Sequence, residues 1–216
     1  MTKQKPFFLA LVIIFQPYTH FINLPNIQVC SQDIPFKPSI KLLGVTIAND
    51  LSWNHHTAYI SRRVHSTLYH LRMHTYNLPS QTKLSLVKSL ILPIFDYNCL
   101  VFNDVSGFLE LKLKKLLNSC LRYIYNIPRF AHITPYRKQA NFLTPQFRRK
   151  LFLLVYFFKI DKTHTPPYIY NLFPKVDKTI RRTDRQAFST NYILPLINRN
   201  TPKPYVNSFP VTALKA

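Results

Sequence analysis

The side chains most able to do chemistry in this sequence are cations that occur in three groups. Lysine and arginine contact the phosphates of nucleic acids and release their counterions, so binding of this kind weakens steeply with salt. The candidate phosphate contacts are Arg62, Arg63, Arg72, Lys112, Lys114, Lys115, Arg148, Arg149 and Lys150. The solvated face of an amphipathic helix explains any single lysine among them equally well, and for the arginine pairs both interpretations stay open.

The charge balance supports a polyanionic partner. The chain of 216 residues carries 29 lysines and arginines against 8 acidic residues, which gives a formal net charge of +21. A charge of this size concentrates polyanions near a protein surface, so nucleic acid is the leading class of partner. Most of the excess lies in the second half of the chain. A hydrophobic fraction of 47% is enough to bury a real core.

The acidic residues do not suggest a metal-dependent catalytic site. Nucleotidyl transfer uses two metal ions held by closely spaced carboxylates, and no two acidic residues are adjacent in this sequence. The eight acids are scattered: Asp33, Asp50, Asp96, Asp104, Glu110, Asp161, Asp177 and Asp184. The neighbouring His55 and His56 would point in different directions on a helix, so they are interpreted as structural or exposed. No catalytic residue and no metal ligand is therefore predicted.

Cysteine usage favours a reducing intracellular compartment, either cytoplasm or nucleus. Cys30, Cys99 and Cys120 are odd in number and far apart, so neither a disulfide framework nor a zinc-binding pair is available. The apolar run 7–15 imitates a secretory signal, but it is too short for a membrane span and no small-residue cleavage site follows it. A buried strand is the preferred interpretation of this run, and no stable membrane association is expected.

Hydrophobic periodicity predicts a mainly α fold: a helical bundle with a few amino-terminal strands and an irregular, proline-rich carboxy-terminal tail. Short strands are expected at 7–15, 27–29 and 40–47. A helix over about 55–75 would turn one apolar face inward and leave a basic side in solvent. Its inward positions are Ile60, Val64, Leu68 and Leu71.

Three more helices are expected to follow. The second has Ser80 as its N-cap and is kinked or ended by Pro93. Its apolar stripe comprises Leu84, Val87, Leu90, Ile91 and Ile94. The third spans 109–125 and turns inward Leu113, Leu116, Leu117, Cys120, Leu121 and Ile124. The fourth, about 145–160, is apolar nearly all round within 151–158, which predicts central burial.

The aromatic residues near these helices are interpreted as core or core-edge positions, since they lie beside apolar periodic positions. They are Trp53, Tyr59, Tyr97, Tyr123 and Tyr125.

Several short motifs occur in an order that resembles one known family. They are Lys41-Leu42-Leu43-Gly44-Val45-Thr46-Ile47, Leu51-Ser52-Trp53, Leu90-Ile91-Leu92-Pro93-Ile94-Phe95-Asp96-Tyr97, Leu116-Leu117-Asn118-Ser119-Cys120-Leu121-Arg122, Thr134-Pro135-Tyr136, Leu143-Thr144-Pro145, Pro166-Pro167-Tyr168, Arg199-Asn200-Thr201 and Tyr205-Val206-Asn207-Ser208-Phe209-Pro210. This order resembles the region after the catalytic core of non-LTR retrotransposon reverse transcriptases, the LINE and jockey-like elements. The resemblance covers about residues 37–216.

The resemblance implies three parts: strands that follow the polymerase palm (1–53), a helical thumb-like domain (54–160) and an extended basic tail (161–216). A thumb in such enzymes holds the template and primer, which implies RNA or an RNA/DNA hybrid as partner. The family's Tyr/Phe-x-Asp-Asp turn does not occur here. The intact family would use Mg²⁺, whereas no cofactor is expected of this chain and no enzymatic activity of its own.

Two other interpretations stay open. The chain is also compatible with a degraded transposon remnant that has no biochemical role, in which case the run 7–15 would be an aggregation hazard. The third interpretation is a secreted or membrane-surface basic protein directed by its amino terminus.

Overall fold

The computed structural model describes residues 27–29, 32–34, 37–74, 77–173, 175, 192–193, 197–198, 201, 203–206 and 208–215. Its described part is mainly helical, which confirms the predicted fold class. The strands are β1 (Ile27–Val29), β2 (Gln32–Ile34), β3 (Ser39–Leu42) and β4 (Val45–Ala48). The helices are α1 (Asn54–His74), α2 (Ser80–Leu86), α3 (Leu92–Asp96), α4 (Gly107–Tyr125), α5 (Thr134–Gln139), α6 (Pro145–Thr163), α7 (Pro167–Tyr170), α8 (Lys203–Val206) and α9 (Phe209–Lys215). The predicted strand 7–15 and Cys30 lie outside the described residues.

The chain divides into two compact units. The first comprises residues 1–98 and 105–142, and the second comprises 99–104 and 143–216. Helix α6 belongs to the second unit, although the sequence analysis groups it with the preceding helices in a segment 54–160. The reason is that the buried side of α6 packs against residues that follow it in the chain.

The core of the first unit forms where α1 packs against α4. On α1 the predicted inward residues Ile60, Val64, Leu68 and Leu71 are all buried. On α4 the predicted inward residues Leu113, Leu116, Leu117, Cys120, Leu121 and Ile124 are all buried as well. Full burial of a leucine or isoleucine side chain stabilises the folded state by about 1.5 to 3 kcal/mol. This interface between α1 and α4, called the apolar seam below, therefore fixes which faces of the two helices remain in solvent.

The helical run from Ser80 to Asp96 changes type before Pro93. Pro79, in an extended conformation, is the N-cap of α2, so the prediction that Ser80 caps this helix is wrong. A π-helical segment, Val87–Ile91, separates α2 from α3. Proline has no N–H to donate and its ring clashes with the carbonyl four residues earlier, which a regular α-helix does not accommodate. The predicted interruption is thus present, but helical backbone resumes and ends at Asp96.

Two of the five positions of the predicted apolar stripe on this run, Leu84 and Ile94, are half-buried, and one is exposed. Leu90 is 48% exposed, whereas Val87 and Ile91 are buried. In the π segment each hydrogen bond spans five residues instead of the four of an α-helix, so the turn is wider and the spacing of inward positions shifts within it.

Residues 39–48 form an antiparallel hairpin instead of the single strand predicted over 40–47. Leu43 and Gly44 make the two-residue turn, with φ angles of 45° and 81°. Positive φ at both central residues is typical of the type I′ turn that suits the twist of a hairpin. The predicted strand at 27–29 is confirmed, and it pairs with β2, which sequence reasoning missed.

The end of α3 is attached to this hairpin turn. The Tyr97 hydroxyl donates a hydrogen bond to the carbonyl oxygen of Leu43 at 2.8 Å, and the Asn98 side-chain amide donates to the same oxygen at 3.2 Å. Tyr97 is 54% exposed, so its predicted place in the core or at the core edge is wrong. Its ring covers Gly44, and the phenol binds backbone at the surface.

In the second unit, α6 buries one side only. Leu153 and Ile160 are buried with Phe173 and Ala213, and Phe157 packs against the same cluster. The prediction of central burial over 151–158 is wrong, because five of these apolar residues are exposed. They are Leu151, Phe152, Leu154, Val155 and Phe158. A helix that meets neighbours along a single stripe leaves its remaining apolar positions uncovered, whatever their hydrophobicity.

Two short helices in the described part of the segment after residue 160 pack against α6, where an extended tail was expected. α7 and α9 both contact α6, and Val211 is buried within α9. These helices are not predicted from the sequence, because α7, α8 and α9 are too short to show a helical period. Among the described residues, no helix has both the length and the apolar character needed to cross a bilayer.

We expect Gly44→Ala to lower the free energy of unfolding by about 1 to 2 kcal/mol, the cost of a left-handed backbone for an L residue. A Cβ at this position would also lie 2.9 Å from Cε1 of Tyr97. Gly107→Ala is the matched control, since nothing lies within 4 Å of its Cβ position at the start of α4. Urea denaturation followed by far-UV circular dichroism measures both, and equal stabilities would contradict the positive-φ turn.

We expect Leu153→Ala to cost about 2 to 5 kcal/mol of stability, because a buried leucine leaves a cavity. Leu154→Ala removes the same atoms from a side chain that is 39% exposed and should cost less than about 1 kcal/mol. Thermal and denaturant unfolding of the two variants compares neighbouring leucines directly. A larger loss for Leu154→Ala would mean that α6 buries the opposite face.

Candidate nucleic-acid interface

The arginines predicted on α1 all reach solvent. Arg62, Arg63 and Arg72 are exposed, because the helix turns the side that carries Ile60, Val64, Leu68 and Leu71 inward. The Arg63 guanidinium carbon lies 5.9 Å from the ring centroid of Tyr59, and Nζ of Lys41 lies 5.1 Å from the same centroid. The hairpin therefore adds a cation to the basic side of α1, which sequence reasoning missed because Lys41 occurs singly.

A cavity of about 410 Å³ adjoins this group and is called the hairpin cavity below. Its lining consists of Gly44, His56, Tyr59, Ile60, Arg63, Leu90, Pro93, Ile94 and Tyr97. Two tyrosine rings and one guanidinium beside an apolar wall could hold a flat ring or a sugar. Tyr59 and Tyr97, which the sequence analysis places in or near the core, are thus accessible from this cavity.

His55 and His56 differ in burial, in agreement with their interpretation as structural or exposed. His56 is 2% exposed, and its Nδ1 accepts a hydrogen bond from the backbone N–H of Thr46 at 3.4 Å. Burial lowers the pKa of the His56 imidazole below its ordinary value. His55 is exposed. His56 therefore joins α1 to β4 as a neutral side chain.

The lysines predicted on α4 are exposed as well. Lys112 and Lys115 are three residues apart and lie on one side of the helix, whereas Lys114 points to another side. Burial raises the pKa of the Cys120 thiol on the same helix to about 12. A thiol of this kind is a core group and not a nucleophile.

The basic triplet at the start of α6 belongs to the second unit and is only partly available. Lys150 is exposed and Arg148 is half-buried, with its guanidinium carbon 5.9 Å from the Phe152 ring. Arg149 is 5% exposed and lies 5.9 Å from the Phe102 ring, which corrects its prediction as a solvent-facing phosphate contact. The buried residues Pro145, Arg149 and Leu153 are four apart, so Arg149 falls on the packed face of α6.

The first unit brings together four cations that the sequence does not group. Arg72, Lys83, Arg122 and Arg129 line a cavity of about 430 Å³, together with Tyr123, Asn126 and Ile127. We call it the four-cation cavity. Only Arg72 is among the predicted phosphate contacts. The other three occur singly in the sequence. The four residues are spread over positions 72–129, so their proximity cannot be predicted from the sequence.

Among the described residues, no group of three or more histidine, cysteine and acidic side chains is placed to hold a metal ion. Comparison of the chain with models of protein families, with curated proteins and with solved structures finds no match.

Acidification should destabilise the fold through His56. Its folded-state pKa is lowered, so the unfolded chain binds more protons, and stability is lost as pH falls through the ordinary pKa near 6.5. We expect His56→Gln to weaken the fall in unfolding free energy between pH 7 and pH 5, and His55→Gln to leave it unchanged. Urea titrations at several pH values measure both. The same pH dependence in all three proteins would exclude His56 as its source.

Proposed function

We propose that the first unit binds nucleic acid, gripping the phosphate backbone with the exposed cations of α1 and α4. The observation that carries this proposal is the placement of Arg62, Arg63 and Arg72 on the solvent side of a helix whose other side is fully packed. A basic face on a rigid helix tracks a phosphate backbone without losing much conformational freedom on binding.

The charge of the whole chain supports the same proposal. A net charge of +21 attracts any polyanion over distances set by the ionic strength. Local pairs of cations then determine where the phosphate backbone of the nucleic acid lies on the protein. The hairpin cavity, with Tyr59 and Tyr97 beside Arg63, adds a place where a base or sugar could stack next to a phosphate contact.

The substrate class that we propose is template and primer nucleic acid, as RNA or an RNA/DNA hybrid, for a chain derived from a non-LTR retrotransposon reverse transcriptase. The support for this origin is the ordered series of motifs over about residues 37–216. The motifs up to residue 136 lie in the first unit, and the later ones lie in the second. Within the first unit, α1 and α4 leave their predicted cations exposed. A helical element with this arrangement suits the thumb role that the resemblance implies.

We infer binding rather than catalysis for this chain. Nucleotidyl transfer uses carboxylates that hold two metal ions close together. The acidic residues of the described part, such as Asp96 at the end of α3 and Glu110 on α4, are separated in the sequence and belong to different elements. The polymerase residues implied by the family would have to be supplied from outside this sequence.

Neutralising four cations tests this proposal. We expect Arg62→Gln, Arg63→Gln, Lys114→Gln and Lys115→Gln together to weaken binding to a labelled RNA/DNA hybrid and to single-stranded RNA. If all four contact phosphates, the slope of log Kd against log salt should fall by about 3.6 for the hybrid and about 2.8 for the single strand, since each contact contributes about 0.9 on a duplex and about 0.7 on a single strand. Fluorescence anisotropy over a salt series measures this slope.

The matched control replaces Lys88, Lys138, Lys159 and Lys162 by glutamine. All four are exposed and lie outside the proposed contacts, and the change in net charge is the same. Equal losses in the two variants would reduce the effect to net charge and exclude a specific basic face. Absence of binding by the folded wild-type chain would favour an inert transposon remnant.

A further inference from the structure

We propose that the exposed side of α6 is a docking surface for an acidic amphipathic helix of another protein. Docking here is independent of nucleic-acid binding by the first unit, because α6 belongs to the second unit. The surface consists of five apolar side chains that are each between 39% and 61% exposed. We call them the outer stripe: Phe147, Leu151, Leu154, Val155 and Phe158.

The outer stripe lies on the side of α6 opposite to its packed side. With 3.6 residues per turn, each residue of a helix is rotated by about 100° from the one before. The buried residues Pro145, Arg149, Leu153 and Ile160 therefore cluster around one direction. The outer stripe is centred about 180° away from that direction. It is thus a second apolar face of the helix and not the edge of the packed one.

The spacing within the outer stripe suits a helical partner. Phe147, Leu151, Leu154 and Phe158 follow one another at intervals of four, three and four residues. At this spacing the side chains of one helix fit between those of a second helix that runs alongside. The stripe extends over about three turns, which is close to the length of an average helix in a globular protein. Exposed apolar patches bordered by polar residues mark sites of interaction.

Cations border the outer stripe and determine the charge of the partner. Lys150 lies along one border and Lys159 along the other, and both side chains are exposed. Lys162 continues the stripe toward the end of the helix, with its Nζ 5.6 Å from the ring centroid of Phe158. A partner helix with glutamate or aspartate beside its own apolar stripe would place these carboxylates against the lysines.

The acidic residue of α6 does not cancel this charge at the stripe. Asp161 is half-buried and accepts a hydrogen bond from the hydroxyl of Tyr192 within the second unit. Its carboxylate is therefore engaged within the fold, whereas the lysines at the borders reach solvent. The complement of the surface is an apolar stripe with negative borders.

The same lysines disfavour a second copy of this chain as the occupant. In a symmetric pair the same surface is used twice, so that lysine borders would meet lysine borders. A net charge of +21 on each copy adds to this repulsion. A lipid surface needs apolar bulk but no regular spacing, whereas the outer stripe has the interval of a helix pair. These features together favour the acidic helix.

The probe for the test is a synthetic peptide of about three heptads with leucine at positions a and d and glutamate at e and g. The glutamates repel one another in a pair of identical peptides, which keeps this peptide available for the protein. A second peptide carries lysine at e and g. A third has the composition of the glutamate peptide in a scrambled order without an apolar stripe, and it measures attraction by net charge alone.

The stripe variant is Leu151→Gln with Phe158→Gln, and its control is Leu111→Gln with Phe108→Gln. Each pair removes one exposed leucine and one exposed phenylalanine, so the fold should remain intact, which thermal unfolding verifies. We expect the stripe variant to bind the labelled glutamate peptide at least about ten-fold more weakly than wild type in fluorescence anisotropy, because central apolar contacts carry most of the affinity of an interface. The control should bind like wild type. Equal binding by the stripe variant would overturn the proposal.

The border variant is Lys150→Gln with Lys159→Gln, and its control is Lys88→Gln with Lys138→Gln, which neutralises two exposed lysines of the first unit. We expect the border variant to bind the glutamate peptide about five-fold more weakly at low salt, since exposed ion pairs contribute modestly. The difference should shrink at high salt. Equal affinity of wild type for the glutamate and lysine peptides, or for the glutamate and scrambled peptides, would overturn the proposal.

Two further measurements identify the other occupants. Sedimentation velocity that shows a dimer in wild type and control, but a monomer in the stripe variant, would replace the acidic helix by a second copy. Co-sedimentation with vesicles of phosphatidylserine and phosphatidylcholine that is lost in the stripe variant, without binding of the glutamate peptide, would replace it by a lipid surface. Binding of the glutamate peptide to a monomeric chain, lost in the stripe variant, would support the docking surface whether or not the chain binds RNA.

Discussion

The packing of α1 against α4 is the interaction on which the rest of the first unit depends. Ile60, Val64 and Leu68 on one helix, and Leu117 and Leu121 on the other, are buried almost completely. Because a helix repeats every 3.6 residues, burial of these positions decides the direction of every other side chain on both helices. The exposed arginines of α1 and lysines of α4 are a consequence of this apolar seam and not of separate contacts that hold them outward.

The seam also brings distant parts of the chain together at its ends. At one end the hairpin β3–β4 is attached through His56 and through the hydrogen bond from Tyr97 to Leu43. At the other, the last turns of α1 and α4 bring Arg72 and Arg122 to one cavity. Cations in the last turn of a helix also stabilise its dipole, which gives both arginines a structural benefit independent of any ligand.

In the second unit, residue type alone does not predict which side chains are buried. In α6 the neighbours Leu153 and Leu154 have the same chemistry, yet one is 2% and the other 39% exposed. Arg149 is 5% exposed on the same helix. The arrangement follows from a single packed stripe, on which Arg149 lies four residues before Leu153 and close to the ring of Phe102. A prediction from hydrophobicity alone therefore assigns too many residues of this unit to the core. A prediction from charge alone assigns Arg149 to the surface, although it is buried.

Local patterns in the sequence were sufficient to predict α1 and α4, their inward residues, and the exposure of seven of the nine candidate cations, since period and charge are properties of neighbouring residues. Tertiary structure alone decided the burial of Arg149, the exposed face of α6, the hydrogen bond from Tyr97 to the hairpin turn and the four-cation cavity. Each of these depends on which residues meet across a large separation in the chain. Arg72 and Arg129 line one cavity only because the apolar seam brings two helix ends together, and no local sequence pattern predicts this proximity.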